Sequence, residues 1–242
     1  MKKVIVIPAR LESSRLPNKL LLNLGNKSII QRVYEQCQKV SSIDHIYIAV
    51  DHEELVNHCK GFTTNVILTS QEHRSGTDRI AEAVSKIDCD IVINVQGDEP
   101  FIEPSLIEKI ANCFSDKNVK MSSAMCSLTS DKAIKNPNNV KVITNALNDA
   151  IYFSRLPIPY FRDEKIDPEK QEYYKHIGLY GYTKEFLLKY SKMKPTRYEL
   201  AEKLEQLRVI ENGYQIRMVV TDDNAIGIDT IEDYNHAKTL FK

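Results

Sequence analysis

Three cations, Arg10, Arg15 and Lys19, share the segment from Pro8 to Lys19 with only Glu12 to oppose them. Small residues at Ala9, Ser13 and Ser14 let backbone N–H groups come close to a ligand. Arginine offers a planar fork to phosphate oxygens and lysine a mobile point charge, so the segment reads either as a triphosphate cradle or as a solvated positive loop. A second feature is Gln96-Gly97-Asp98-Glu99-Pro100. A carboxylate held in a tight turn suits a hard cation such as Mg²⁺, and it equally suits an aspartate bonding its own backbone. Asp229, in Gly227-Ile228-Asp229-Thr230, precedes a helical pattern and reads in isolation as its N-cap; nothing in the spacing pairs it with Asp98. No GxGxxG occurs, and Gly25-Asn26-Lys27-Ser28 lacks the contiguous Gly-Lys and the upstream glycine of a P-loop.

The surrounding elements decide where these groups sit. Val4 to Ile7 is a solid apolar run of the kind buried on both faces of a parallel sheet. Ser28 then caps a helix through Ile29, Ile30, Val33, Cys37 and Val40. A strand at His45–Val50, a helix from Glu53 to about Lys60, a strand at Val66–Leu68, a helix through Ile80, Val84 and Ile87, and a strand at Ile91–Val95 follow. This β-α alternation predicts a mostly parallel sheet with helices on both faces, in which ligands bind beyond the carboxyl ends of the strands. The cationic segment and the Asp98 turn follow two such ends. Beyond them one helix near Leu106–Phe114 precedes strands at Met121–Leu128, Val140–Thr144, Ala150–Phe153 and Ile177–Tyr182. The stretch 157–174, rich in proline and charge, reads as a loop. Helices at Lys184–Ser191, Glu199–Glu211 and Ile231–Phe241 and a strand near Gln215–Thr221 complete the pattern. The reading is one α/β domain over residues 1–242, with about 120–200 forming most of a smaller, more antiparallel lobe.

With 33 Lys+Arg against 33 Asp+Glu, the 242-residue chain has no net charge, which counts against a broadly basic nucleic-acid binder. The balance hides an asymmetry: residues 1–19 carry a net +4 and residues 95–103 a net −3. No apolar run approaches the ~18 residues of a membrane span, and MKKVIVIPAR is too short and too polar for a signal peptide. Five cysteines without a CxxC pair fit reduced thiols in a cytoplasmic protein better than a disulfide framework or a zinc site.

Eight segments in order give the chain a resemblance: IPARLESSRLPNK at 7–19, SGTDR at 75–79, VINVQGDEP at 92–100, NPNNVKVI at 136–143, YFSRLPIPYFRD at 152–163, KHIGLYGY at 175–182, LEQLRVIENG at 204–213 and GIDTIEDY at 227–234. Together they resemble the 3-deoxy-manno-octulosonate cytidylyltransferase (CMP-Kdo synthetase) family of sugar nucleotidyltransferases. The sialic acid cytidylyltransferases share the opening segment but have no counterpart to HIGLYGY followed by LEQLR.

The resemblance implies a Rossmann-like nucleotide-diphospho-sugar transferase fold, CTP and 3-deoxy-D-manno-octulosonate (Kdo) as substrates, Mg²⁺ as cofactor, and a homodimer formed through the smaller lobe. It also implies a cytoplasmic role in lipopolysaccharide biosynthesis, with another acid sugar, 8-amino-Kdo or a sialic acid, as the alternative acceptor. By this resemblance Arg10, Lys19, Asp98 and Asp229 are the catalytic set, and Asp98 and Asp229 the metal carboxylates. Ala9, Arg10, Arg15, Lys19, Ser75, Gly76, Arg79 and Gln96 would bind the nucleotide, while Gln96, Arg155, His176, Tyr180, Glu205 and Gln206 would line the sugar site. Kdo needs a cation for its carboxylate, which Arg155 offers, and neutral partners for its hydroxyls. His176 and Tyr180 also read as half-buried residues on one strand face, and Glu205 with Arg208 as a helix-surface pair. Leu20 and Ser28 stand where the family has proline, which bears on loop rigidity, and Arg197-Tyr198 where Pro-Leu is common.

Overall fold

The computed structural model describes residues 1–13, 15–73, 75–162, 166–222 and 227–241; Ser14 of the cationic segment and residues 163–165 of the charged loop lie outside the described residues. The chain opens with β1 (Lys3–Ala9), a 3₁₀ turn at Lys19–Leu21, and a small hairpin of β2 (Asn23–Leu24) and β3 (Lys27–Ser28). It continues through α1 (Ile29–Cys37), β4 (His45–Val50), α2 (Glu53–Cys59), β5 (Val66–Leu68), α3 (Gly76–Ser85), β6 (Ile91–Asn94) and α4 (Pro104–Asn112). The second half runs β7 (Met121–Ser127), α5 (Asp131–Lys135), β8 (Lys141–Thr144), β9 (Ala150–Ser154) and β10 (Tyr174–Thr183). It ends with α6 (Lys184–Tyr190), α7 (Arg197–Glu202), α8 (Leu207–Glu211), β11 (Arg217–Thr221) and α9 (Ile231–Leu240).

The main sheet has the order β11-β7-β10-β6-β1-β4-β5, with β8 paired to β10 and β9 to β8 off this path. The pairs β1–β4, β1–β6, β4–β5 and β7–β11 are parallel, while β10 is antiparallel to both β6 and β7. The fold is thus α/β with a mainly parallel central sheet. Alternation along β1 explains its two-sided burial: Ile5 and Ile7 enter a core with α1, α2, α4 and α9, whereas Val4 and Val6 enter a second core with α3, α6 and α8.

Local chemistry agrees with the element ends. Ser28, in place of the family's proline, caps α1: its Oγ accepts from the Gln31 N–H at 3.3 Å and bonds His58 Nε2 at 2.7 Å. Leu20 is buried in the core beneath the cationic loop. Three findings depart from the sequence reading. The small β2–β3 hairpin and a short α5 stand where no element was expected. The expected single helix over 199–211 is broken into α7 and α8, with Lys203 in the left-handed region at φ 55°. The break has a partner directly after β9: Arg155 Nε donates to Glu202 O at 2.7 Å and its Nη2 to Lys203 O at 3.4 Å, satisfying carbonyls that the ending helix leaves open.

Gly181 marks where β10 meets α4. A Cβ there would stand 2.6 Å from Ser122 Oγ, 2.7 Å from Phe114 and 2.9 Å from Ile110. Gly181→Ala is therefore expected to lower stability by about 1–3 kcal/mol, read as a shifted urea midpoint at unchanged slope; an unchanged midpoint would contradict this packing.

Candidate active site

The carboxyl ends of β1 and β6 bring the two sequence features face to face. Lys19 Nζ donates to Asp98 Oδ2 at 2.5 Å and to Asp229 Oδ1 at 3.0 Å, and Arg15 Nη2 lies 3.0 Å from that same Asp229 oxygen. Asp229 reaches this position because the Ile228 N–H donates to Asp98 O at 2.9 Å. It is not the N-cap of α9. Thr230 holds that place, its Oγ1 accepting from the Asp233 N–H at 3.2 Å while Asp233 Oδ2 accepts from the Thr230 N–H at 2.9 Å. Burial alone would depress the Lys19 pKa, but the charge of Asp98 and hydrogen bonds to both carboxylates outweigh it and raise it. Gly97 permits the close approach of this turn to β1, since a Cβ would stand 3.0 Å from Pro8 O.

A cavity of about 300 Å³ collects Arg10, Arg15, Lys19, Gly76, Arg79, Gln96, Asp98 and Asp229 along its walls. It shares Arg10, Glu12 and Ser13 with a neighbouring groove of about 910 Å³ that runs past Asp51 and His52. Arg10 Nη2 donates to His73 O at 2.8 Å, tying the cationic loop to the segment before α3. Ala9 is the buried last residue of β1, paired with Val50. Ser75 Oγ accepts from the Asp78 N–H at 3.1 Å as N-cap of α3, which leaves its hydroxyl hydrogen and its backbone for a ligand.

Arg79 is fully buried. Its Nη1 donates to Thr69 Oγ1 at 2.8 Å and its Nη2 to Asp51 Oδ2 at 3.1 Å. Burial lowers its pKa, with Asp51 opposing and Arg10 adding to the effect. The other Asp51 oxygen accepts from the Leu11 N–H at 3.0 Å. Arg79 thus braces the cationic loop through Asp51, a residue the sequence reading passed over although it directly follows the carboxyl end of β4.

Of the residues expected to line a sugar site, His176, Tyr180, Glu205 and Gln206 gather in a second cluster beside the first, joined to it by Gln96, whose Nε2 lies 3.5 Å from Gly178 O. His176 is buried, with Nε2 2.9 Å from Ser123 Oγ and Nδ1 3.4 Å from Gln206 Nε2. Its ring packs 5.4 Å from that of Tyr180 and 4.9 Å from that of Phe153. Burial raises the Tyr180 pKa and keeps the phenol neutral, with Glu205 and Glu99 reinforcing the shift. Glu205 Oε2 accepts from Thr77 Oγ1 at 3.0 Å, linking the start of α3 to the segment between α7 and α8. Burial raises the Glu205 pKa against the Thr77 hydrogen bond and Arg208. The Glu205–Arg208 contact exists at 3.6 Å, but Arg208 bonds mainly to Glu199, at 2.5 and 2.8 Å.

Arg155 stands apart from this cluster. Its guanidinium donates to Glu202 O, to Pro137 O at 3.2 Å and to Lys203 O. Lys141, also missed in the sequence, is buried without a carboxylate partner among the described residues and bonds the carbonyls of Asn136, Asn139 and Arg155 at 3.0, 2.6 and 2.5 Å. Its place inside an apolar strand pattern was the available signal.

Burial lowers the His176 pKa to about 3, with Lys175 adding to the effect. The unfolded chain protonates this ring below its ordinary value near 6.5 while the folded chain does not, so the unfolded state binds more protons. The contribution of neutral His176 to stability is thus complete above about pH 6.5 and is lost as pH falls toward 3. The Tm of the wild type is expected to fall more steeply across this window than that of His176→Gln; parallel curves would contradict the assignment.

A mainly parallel sheet whose carboxyl edge sets a cationic loop against two carboxylates defines a nucleotide-binding transferase of the α/β class. Residues 4–217 match the family model described as Cytidylyltransferase. The 3-deoxy-manno-octulosonate cytidylyltransferase of Geobacter metallireducens is 44% identical over 241 residues, covering 96% of this chain and 95% of its own. That of Francisella tularensis is 46% identical over 244 residues, covering 98% and 97%. A solved structure of CMP:2-keto-3-deoxy-manno-octonic acid synthetase complexed with CTP superposes with a TM-score of 0.94 at 38% identity, covering 99% of this chain and 98% of its own. The chain belongs to the 3-deoxy-manno-octulosonate cytidylyltransferase family.

Proposed function

We propose that this chain transfers CMP from CTP to the anomeric hydroxyl of Kdo, releasing pyrophosphate. The observation that carries the reading is the Asp98–Lys19–Asp229 arrangement flanked by Arg15, within one cavity with Arg10. Arg10, Arg15 and Lys19 bind the triphosphate and stabilise the departing pyrophosphate. Gln96, His176, Tyr180, Glu205 and Gln206 orient the sugar so that its hydroxyl oxygen lies in line with the α-phosphorus. No protein nucleophile is needed, because positioning and charge neutralisation carry the step. Arg155 serves the sugar carboxylate: a guanidinium has five N–H donors, and its carbonyl bonds use three of them.

Asp98 and Asp229 would hold Mg²⁺. Their oxygens already converge on one cation, the Lys19 ammonium. Among the described residues no group of three or more His, Cys, Asp or Glu forms a metal site. A two-carboxylate oxygen site leaves positions for phosphate and water, the set Mg²⁺ prefers. When bound, the ion would supply charge neutralisation at the phosphates.

Residues 120–200 would form the smaller lobe and a homodimer through it. Exposed Ile151, Leu156 and Tyr160 on and after β9 support this reading, and light scattering at twice the chain mass would test it. A cytoplasmic place, where CTP is made, and a part in lipopolysaccharide biosynthesis belong to the same reading. Among the described residues no helix is long and apolar enough to cross a membrane.

The test is pyrophosphate release with Mg²⁺, comparing CTP with ATP, GTP and UTP, and Kdo with 8-amino-Kdo and a sialic acid. Turnover is expected to be fastest with CTP and Kdo and to stop when EDTA removes the metal. Equal rates with another nucleotide or sugar, or rates indifferent to EDTA, would overturn the corresponding part of the reading.

A further inference from the structure

The pairing of β10 with β7 shifts register between Ile177 and Tyr180: Ile177 opposes Ala124 and Tyr180 opposes Ser123, which leaves Gly178 and Leu179 outside the ladder. Such a bulge beside a binding site re-aims side chains. Here it turns two carbonyls toward one hydroxyl: Ser123 Oγ lies 3.2 Å from Ile177 O and 3.0 Å from Leu179 O. The third neighbour of that oxygen is His176 Nε2, at 2.9 Å. Ser123 is fully buried, His176 and Gln206 nearly so, and no motif in the sequence pointed to Ser123.

The donors and acceptors can be assigned in order. A hydroxyl has one hydrogen, and carbonyls only accept, so the Ser123 hydrogen goes to the bulge and its lone pairs remain for the ring. His176 Nε2 must then carry a hydrogen. Because burial keeps the ring neutral, Nδ1 is bare and can only accept. Gln206, whose Nε2 is 3.4 Å from Nδ1, must therefore turn its NH₂ edge to the ring and leave Oε1 as an acceptor for a ligand hydroxyl.

We propose that Ser123 is a positioning residue of the sugar site: without touching substrate, it fixes the Nε2–H tautomer of His176 and thereby the edge of Gln206 offered to the sugar. This rests on the reading of an acid sugar as acceptor. A sugar hydroxyl that donates to Gln206 Oε1 is selected, and an analogue lacking that hydroxyl leaves a buried acceptor unpaired.

Nitrogen-15 spectra of the imidazoles test the assignment, with the His176 signals identified by their loss in His176→Gln. The wild type is expected to show Nε2–H alone at neutral pH. Ser123→Ala should give mixed tautomers and raise KM for Kdo about 10-fold while KM for CTP changes less than about two-fold. A merely structural role would move both constants together with Tm. Should Ser123→Ala fold poorly, Gln206→Glu supplies a second variant: a carboxylate cannot donate to Nδ1, so the ring should take a hydrogen there. An Nδ1–H wild type, a Gln206→Glu spectrum identical to wild type, or a folded Ser123→Ala with unchanged KM for Kdo would each overturn the proposal. A wild type that shows the Nε2–H tautomer but does not consume Kdo would instead overturn the proposed function.

Discussion

Asp98→Asn is expected to lower the rate of pyrophosphate release by about 10³-fold or more while leaving the fold in place. The carboxylate is one of two that converge on the Lys19 ammonium, and the amide keeps its shape but not its charge. The backbone link that seats Asp229 uses the Asp98 carbonyl, at 2.9 Å from the Ile228 N–H, and the substitution does not touch it. On the proposed reading, what is lost is one of the two carboxylate charges that would hold a divalent cation beside the triphosphate. The variant should therefore melt near the wild-type Tm, bind CTP through Arg10 and Arg15, and turn over barely at all. Near-wild-type turnover in saturating Mg²⁺ would show that Asp98 is not a metal carboxylate.

Asp51→Ala is expected to have the largest effect on stability, about 3–5 kcal/mol. Its carboxylate is shared between the buried Arg79 guanidinium at 3.1 Å and the Leu11 N–H at 3.0 Å. Only 1% of the Arg79 side chain is exposed, so removing Asp51 strands a charge in the core. A drop in Tm of roughly 10 °C follows for a chain of this size. The same change releases the backbone of the cationic loop, so KM for CTP should rise. Pairing Asp51→Ala with Arg79→Met removes the stranded charge, and the double variant should be more stable than Asp51→Ala alone. Urea titration of the three variants checks this; a double variant as unstable as the sum of both single changes would contradict the buried pair as the cause.

The first half of the fold was legible because its strands are apolar on both faces. Ile5 and Ile7 point one way and Val4 and Val6 the other, so the sequence reads as a solid run with no alternative placement. His45–Val50 and Val66–Leu68 emerge at the ends their residues suggested. Later elements were harder for identifiable reasons. Lys203 adopts a left-handed backbone without being glycine, and the group that meets the freed carbonyls, Arg155, is 48 residues away in sequence. No local pattern signals such a break. Nor does periodicity announce that β10 runs antiparallel between β6 and β7.

The site divides in the same way. Arg10, Arg15, Lys19 and Asp98 were found by charge and by their position after apolar strands, and Asp229 by resemblance alone, since its spacing reads as a cap. Asp51 and Ser123 act through partners distant in the chain, and each is an ordinary residue type in an ordinary strand or turn, whereas Lys141 stood out only as a lysine inside an apolar strand pattern. The global charge balance is zero, whereas the candidate site sets Arg10, Arg15 and Lys19 against Asp98 and Asp229; Lys2 and Lys3, which swell the net +4 over residues 1–19, lie at the far, amino end of β1, where Lys2 pairs with Asp88 at 3.5 Å.

The most direct test follows the oxygen. Kdo carrying oxygen-18 at its anomeric hydroxyl, mixed with CTP and Mg²⁺ and analysed promptly by mass spectrometry, should yield CMP-Kdo that retains the label in the phosphoester bridge, with unlabelled pyrophosphate in equal amount. Label lost from the sugar nucleotide, or the absence of CMP-Kdo, would contradict attack by the sugar hydroxyl on the α-phosphorus of CTP.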